Sequence, residues 1–235
     1  MTAGQNKGVK FFNEETASYH ARFYGDPRWQ AYRTYASDLV TSHFRPSSVL
    51  DLGCGPAPSL PKLIDQVGEY ICVDGSIQNL ITLKNEQGRL GVLVDLESGL
   101  ALPVRHSFEL VILFGLLQYL TDPADTIAQS LLVLKRGGFI LVHTPSDYWT
   151  NKMGTVHGRG FSYEDMVCLF SGLEIVSLQR LNHVRIERRV NWILGHVKLS
   201  VKSKALLWYQ VMRMESLLDR SGVRGTDWLL LARRV

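Results

Sequence analysis

The chain has 235 residues, 46% hydrophobic and 20% charged, with a formal net charge of +4. That length suits one α/β domain with an appended segment; three cysteines, Cys54, Cys72 and Cys168, lack metal spacing, so no metal is expected, and their odd number argues against a disulfide framework. Residues 180–235 hold 12 Lys+Arg against 4 Asp+Glu, so +8 sits there and −4 on the rest.

The N-terminal stretch MTAGQNKGVKFF lacks a secretory apolar core, and Leu110–Leu120 is too short to span a bilayer, so the expected location is cytoplasmic. Ala17–Phe44 mixes Tyr19, Phe23, Tyr24, Trp29, Tyr32 and Tyr35 with charges and predicts helix, broken near Gly25–Pro27. Val49–Ser59, VLDLGCGPAPS, then predicts a strand, a tight turn at Gly53 and Gly55, and a helix start at Pro56 and Pro58 continuing to Gln66. A carboxylate, Asp51, beside that turn disfavours a phosphate and suits a cationic or zwitterionic ligand. A dinucleotide fingerprint would need glycine where Pro58 stands.

Glu69–Asp74 predicts a second strand ending in an acid about twenty residues after the glycine turn, where α/β cofactor folds place a carboxylate against ribose hydroxyls. Asp74 or Ser76 also suits the N-cap of a helix carrying Ile77–Lys84. Gly91–Leu96 predicts a third strand reaching Asp95, and Phe108–Phe114, apolar almost throughout, a central parallel strand. Asp51, Asp74 and Asp95 would then converge on the crevice beyond the strands' carboxyl ends.

Asp122 and Pro123 predict a helix start, with a stop at Gly137 and Gly138 and a fifth strand over Phe139–His143. The loop 145–160 is the expected substrate wall, with Tyr148 and Trp149, before a capping box at Ser162 and Asp165. Glu174–Leu181 and Thr226–Arg233 predict the last two strands. Between them Leu207, Val211, Met214 and Leu218 recur at helical spacing, flanked by Arg188, Arg189, Lys198, Lys202 and Lys204. That insertion reads as a substrate cap, a dimer face or a surface-seeking amphipathic helix, with core packing as the plain alternative for its apolar positions.

The segment Asp51-x-Gly53-x-Gly55, with Ala57 in place of a third glycine, resembles the first motif of class I S-adenosylmethionine-dependent methyltransferases. The passages ASYHARFY and VLKRGGFILVHTP are similar to that family's N-terminal and fifth-strand segments, and the likeness covers about residues 17–182 and the final strand. It implies a doubly wound, Rossmann-like, seven-stranded mostly parallel sheet with an antiparallel last strand, and S-adenosylmethionine as cofactor. Asp51, Gly53, Gly55, Asp74, Asp95, Leu96, Phe114 and Tyr19 would hold the cofactor, with Asp95 on the adenine amino group and Leu96 beside the ring. Gln118, Tyr119, Tyr148 and Trp149 would line the acceptor site, and His157 would be the general base. The expected division is an N-terminal helical lid over 1–46, a cofactor core over 47–182, a basic helical insertion over 183–224 and a final strand over 225–235.

The expected activity is O- or N-methylation of a small-molecule metabolite or natural product. A peripheral membrane methyltransferase of a quinone or lipid-linked sugar, touching anionic lipid through the basic insertion, and a noncatalytic binder of the cofactor stay open. No Asn-Pro-Pro-Tyr follows the fourth strand and no glutamate pair appears, which argues against DNA-base and protein-arginine acceptors; a basic segment is weak ground for a nucleic-acid partner. Oligomeric state is not legible.

Overall fold

A computed structural model of the chain describes residues 13, 25–87, 89, 91–96, 107–148, 158–218 and 225–235. Seven strands, β1 (Ser48–Leu52), β2 (Glu69–Asp74), β3 (Gly91–Leu93), β4 (Phe108–Phe114), β5 (Leu134–Pro145), β6 (Glu174–His183) and β7 (Gly225–Arg233), form one sheet in the order β3-β2-β1-β4-β5-β7-β6. Pairing is parallel from β3 through β5, and β7 lies antiparallel between β5 and β6. The chain steps outward from β1 to β3 and then returns to β4 on β1's other side, so the strand order reverses between β1 and β4. In open α/β sheets such a reversal opens a crevice at the strands' carboxyl ends.

The helices named among the described residues are α1 (Pro27–His43), α2 (Ile77–Gln87), α3 (Pro123–Val133), α4 (Tyr163–Leu169), α5 (Val184–His196) and α6 (Val201–Leu218). β1 and β4 are the most buried strands because apolar layers cover both faces. Val49, Leu110, Ile112, Leu229 and Leu231 pack on one face with Tyr32 of α1 and Trp208 of α6. Leu50, Leu52, Val111 and Leu113 pack on the other with Ile127 of α3 and Met166 of α4. Each such fully buried large side chain contributes roughly 1.5–3 kcal/mol.

Several caps stand as expected. Asp122 accepts from Asp125 N at the start of α3, Ser162 and Asp165 form a reciprocal capping box at α4, and Ser76 Oγ accepts from Asn79 N at 3.2 Å. Asp26 caps α1 immediately before Pro27, at the predicted break.

Other boundaries differ. The helix expected over Ser59–Gln66 is a single 3₁₀ turn, Pro61–Leu63, because Pro56, Pro58 and Pro61 leave too few amide donors for an α-helix to nucleate. α3 ends at Val133 rather than at Gly137, and β5 takes over from Leu134 because Leu134 pairs with Phe108 of β4 across a bulge. β3 stops at Leu93, leaving Asp95 beyond the strand. In α6 the buried stripe is Trp208, Val211, Met212 and Glu215, whereas Leu207 and Met214 are exposed, because the helix packs on α1 and β6 one position away from the expected register.

Candidate active site

The glycine turn after β1 is held from three sides. Gly53 and Gly55 have φ of +69° and +66°, a backbone conformation that disfavours any side chain with a Cβ. Gly53 N and Cys54 N donate to Val73 O of β2 at 2.8 and 3.1 Å. Arg33, buried in α1, donates to Ser59 O at 2.9 Å and to Pro58 O. Arg33 was not among the expected site residues, since only the packing of α1 on β1 brings it to the turn.

Asp51 is fully buried beneath this turn. Its Oδ2 accepts from Ser59 N at 2.7 Å and Tyr70 OH at 2.8 Å, and its Oδ1 from Ser59 Oγ at 2.8 Å. Burial pushes its carboxyl up from the ordinary carboxylate range to about 6, against the pull of those donors and of Arg33. Asp51 therefore fastens the turn's far end to the sheet.

At the end of β2, Asp74 Oδ2 accepts from Gly55 N at 2.8 Å, while Oδ1 accepts from Ser76 N at 2.8 Å and Asn79 Nδ2 at 3.1 Å. Burial raises its pKa and the three donors oppose the shift. A carboxylate has about four lone-pair sites, so Oδ2 retains capacity for a further donor. Two residues past β3, Asp95 is exposed and Leu96 buried. Asp51, Asp74 and Asp95 thus stand at or just beyond the carboxyl ends of β1, β2 and β3, the first facing the turn's underside and the third facing solvent.

The opposite side of the crevice is aromatic. Phe114, at the end of β4, stacks on His143 of β5 with ring centroids 4.6 Å apart, and Tyr32 and Trp29 of α1 meet the same imidazole edge-on at 4.6 and 5.2 Å. His143 Nε2 lies 3.4 Å from Asp227 Oδ1 of β7, within ion-pair reach. The register explains the encounter: His143 lies opposite Leu229 and Pro145 opposite Asp227, which makes His143 and Asp227 diagonal neighbours on one face. Asp227 also accepts from Thr226 Oγ1 at 2.6 Å and Asn182 Nδ2 at 2.7 Å. Burial raises its pKa, but His143, Thr226 and Asn182 outweigh that and hold it below the ordinary value.

His143 Nδ1 and the hydroxyl of Tyr32 are buried without a hydrogen-bond partner among the described residues, while Nε2 faces Asp227. A buried polar group left without a partner costs roughly 1–3 kcal/mol, which sets these two groups apart from the apolar packing around them. A Cβ at Gly115, φ +71°, would lie 3.8 Å from Gln118 Nε2 and 3.9 Å from His143 Nδ1, so the Gln118 amide and the imidazole flank the space that the glycine leaves. Neither His143 nor Asp227 was an expected site residue. Each sits near a strand end, but they meet only across an antiparallel register that the sequence does not announce.

Of the expected acceptor residues, Gln118 and Tyr119 lie in a 3₁₀ turn, Leu117–Tyr119, directly after β4. Gln118 Nε2 donates to Gly115 O at 2.9 Å, and its own carbonyl accepts from Arg159 N at 3.2 Å. Burial raises the Tyr119 hydroxyl, against the Gln118 contact. Tyr148 is half-buried beyond β5. Tyr19, Trp149 and His157 lie outside the described residues.

The residues present fit a sulfonium nucleotide. The turn offers glycine backbone without side chains, Asp74 keeps acceptor capacity, and no cationic side chain among those placed at the turn, other than Arg33 engaged with carbonyls, opposes a positive sulfur. Residues 50–142 match a family model described as a methyltransferase domain. No curated relative matches the sequence. Among solved structures, the N-methyltransferase NodS from Bradyrhizobium japonicum WM9, bound to S-adenosylhomocysteine, is similar with a TM-score of 0.67 at 14% identity over 99% of both chains. A S-adenosylmethionine-dependent methyltransferase from Clostridium acetobutylicum ATCC 824 gives 0.63 at 14% identity, covering 94% of this chain and 98% of that one. Geranyl diphosphate C-methyltransferase from Streptomyces coelicolor A3(2) gives 0.55 at 14% identity, covering 85% and 78%. Residues 50–142 thus match a methyltransferase domain, and the chain as a whole shares the fold of these S-adenosylmethionine-dependent methyltransferases.

Proposed function

We propose that the chain methylates a hydroxyl oxygen of a small-molecule acceptor, and that His143, backed by Asp227, receives the acceptor's proton. The observation that carries this reading is the buried imidazole whose Nε2 lies 3.4 Å from the Asp227 carboxylate and whose Nδ1, beside Gly115, has no hydrogen-bond partner among the described residues. When bound, S-adenosylmethionine supplies a methyl group on a positively charged sulfur, already activated for in-line attack. Gly53, Gly55 and Asp74 would orient it, with Asp74 Oδ2 accepting from the ribose, and Asp95, Leu96 and Phe114 would bound the adenine and the sulfur side.

The chain's own contribution at the acceptor is to hold the nucleophile and take its proton. A hydroxyl gains roughly 10²- to 10⁴-fold from a positioned base, whereas a free amine has its lone pair available. An acceptor carboxylate would need no base and would meet the negative charge of Asp227. The imidazolium formed at His143 is stabilised by Asp227, and the Tyr32 hydroxyl, buried without a partner, would orient the acceptor oxygen. Gln118, Tyr119, Tyr148 and Trp149 would bound the acceptor.

A radiolabelled methyl-transfer screen against hydroxylated metabolites tests this reading. His143→Ala and Asp227→Asn should each lower turnover at least about 10²-fold while S-adenosylhomocysteine affinity by calorimetry is retained. Wild-type turnover in His143→Ala, with loss instead in His157→Ala, would move the base to the loop before α4.

A further inference from the structure

We infer that the end of α5, the elbow after it and the start of α6 form a docking surface for an anionic lipid bilayer. α5 buries one side of itself through Val190 and Leu194, and Trp192, two residues from each, points to the opposite side and is 67% exposed. Around it Ile193, Val197, Leu199, Val201 and Leu206 are exposed as well, a run of apolar side chains that continues through the elbow onto α6. A single exposed apolar residue needs no account; a contiguous set centred on a tryptophan does.

The charge around this set selects the partner. From Arg188 to Arg213 the chain carries six Lys and Arg and no Asp or Glu. Arg188 and Arg189 flank Trp192 on α5, and Lys198 and Lys202 alternate with Val197, Leu199 and Val201, all of them exposed. Repeated positive charge would repel a second copy of the same face, and an amphipathic segment with basic residues beside Trp and Leu is what the boundary of an anionic bilayer binds. Indole favours the headgroup level, where its apolar body and its N–H are both accommodated. No helix among the described residues is long and apolar enough to cross a membrane, so the contact lies on the surface.

The surface is tied to the crevice. α5 begins directly after β6, whose Asn182 holds Asp227, and Glu187 of α5 pairs with Arg28, the neighbour of the Trp29 that touches His143. A docked bilayer would therefore lie against helices anchored at the acceptor end. The docking stands independently of the hydroxyl-acceptor reading, because it is measured without methyl transfer.

The test floats the full chain with vesicles of phosphatidylcholine alone and with about 30% phosphatidylglycerol. Binding is expected only to the anionic vesicles at low salt, and it should fall as salt rises and the Debye length shrinks. Lys198→Gln and Lys202→Gln should each lower the partition coefficient about fivefold, and Trp192→Ser should lower it further. S-adenosylhomocysteine affinity, unchanged in all three variants, verifies that they are folded. Absence of binding to anionic vesicles at low salt, or binding indifferent to all three substitutions, overturns the inference. So does light scattering that finds a dimer which Trp192→Ser converts to monomer, since the face would then belong to a second copy.

Discussion

Asp74 Oδ2 and Gly55 N are joined by a 2.8 Å hydrogen bond, so the acid that ends β2 holds the glycine turn that follows β1. One side chain thereby links two adjacent strand ends across the crevice where the strand order reverses. Any ribose bound there would share its carboxylate with the turn, and the turn's shape and the cofactor's seat become one property.

Asp74→Ala should accordingly weaken S-adenosylmethionine binding by about 1.5–3 kcal/mol, the range for a hydrogen bond to a charged acceptor. It should also lower the thermal midpoint of the ligand-free protein, because Gly55 N, Ser76 N and Asn79 Nδ2 lose their acceptor together. Calorimetry and a melting curve measure both; an unchanged affinity would remove the ribose role.

Asp51 gives a prediction in pH. Its carboxyl is raised to about 6 by burial, so between about pH 4 and pH 6 the folded chain keeps a proton that the unfolded chain has released. The group's contribution to stability is thus complete below about pH 4 and is lost as pH rises through 6, a swing of up to about 3 kcal/mol. Asp51→Asn should flatten that part of the profile in urea unfolding between these pH values. An identical slope in the variant would show that the proton sits elsewhere.

Asn182 has φ +58°, the left-handed region, and gives two donors to carboxylates: its backbone amide to the buried Glu215 Oε2 at 2.9 Å and its side chain to the half-buried Asp227 Oδ2 at 2.7 Å. Asn182→Ala should cost about 1–3 kcal/mol in chemical denaturation, from the lost donor to Asp227 and the added backbone strain. Asn182→Gly loses the donor but not the backbone freedom, and should be the milder change by about 1 kcal/mol. Equal costs would mean that the left-handed conformation carries no penalty here.

Gly158 has φ +86°, and a Cβ there would collide with the carbonyl of Gln118. Gly158→Ala should displace the Leu117–Tyr119 turn and raise the acceptor KM, whereas Gly172→Ala, where a Cβ meets nothing within 4 Å, should leave kinetics and melting unchanged. Matching effects in the two variants would detach Gly158 from the acceptor wall.

Much of the scaffold was legible in the chain. Strands β1, β2, β4 and β7 announced themselves as apolar runs, the acids and glycines at their ends marked the crevice, and Asp122 and Ser162 marked helix starts, because these signals arise within a few residues of one another. The glycine turn was legible for the same reason: Asp51, Gly53 and Gly55 lie within five residues of one another. The helix expected after the turn failed where three prolines competed with a helical pattern, and the α6 stripe slipped by one position because neighbouring helices chose which side to cover.

What the sequence determined alone was the sheet's strands, the glycine turn and the cofactor class, all set by local backbone preference and short spacing. The pairing of His143 with Asp227, the grip of Arg33 on the turn and the exposure of Trp192 were decided only by tertiary structure. Each depends on segments between roughly 25 and 84 residues apart being brought together or left apart, by an antiparallel register or by which helix face the core had room to bury.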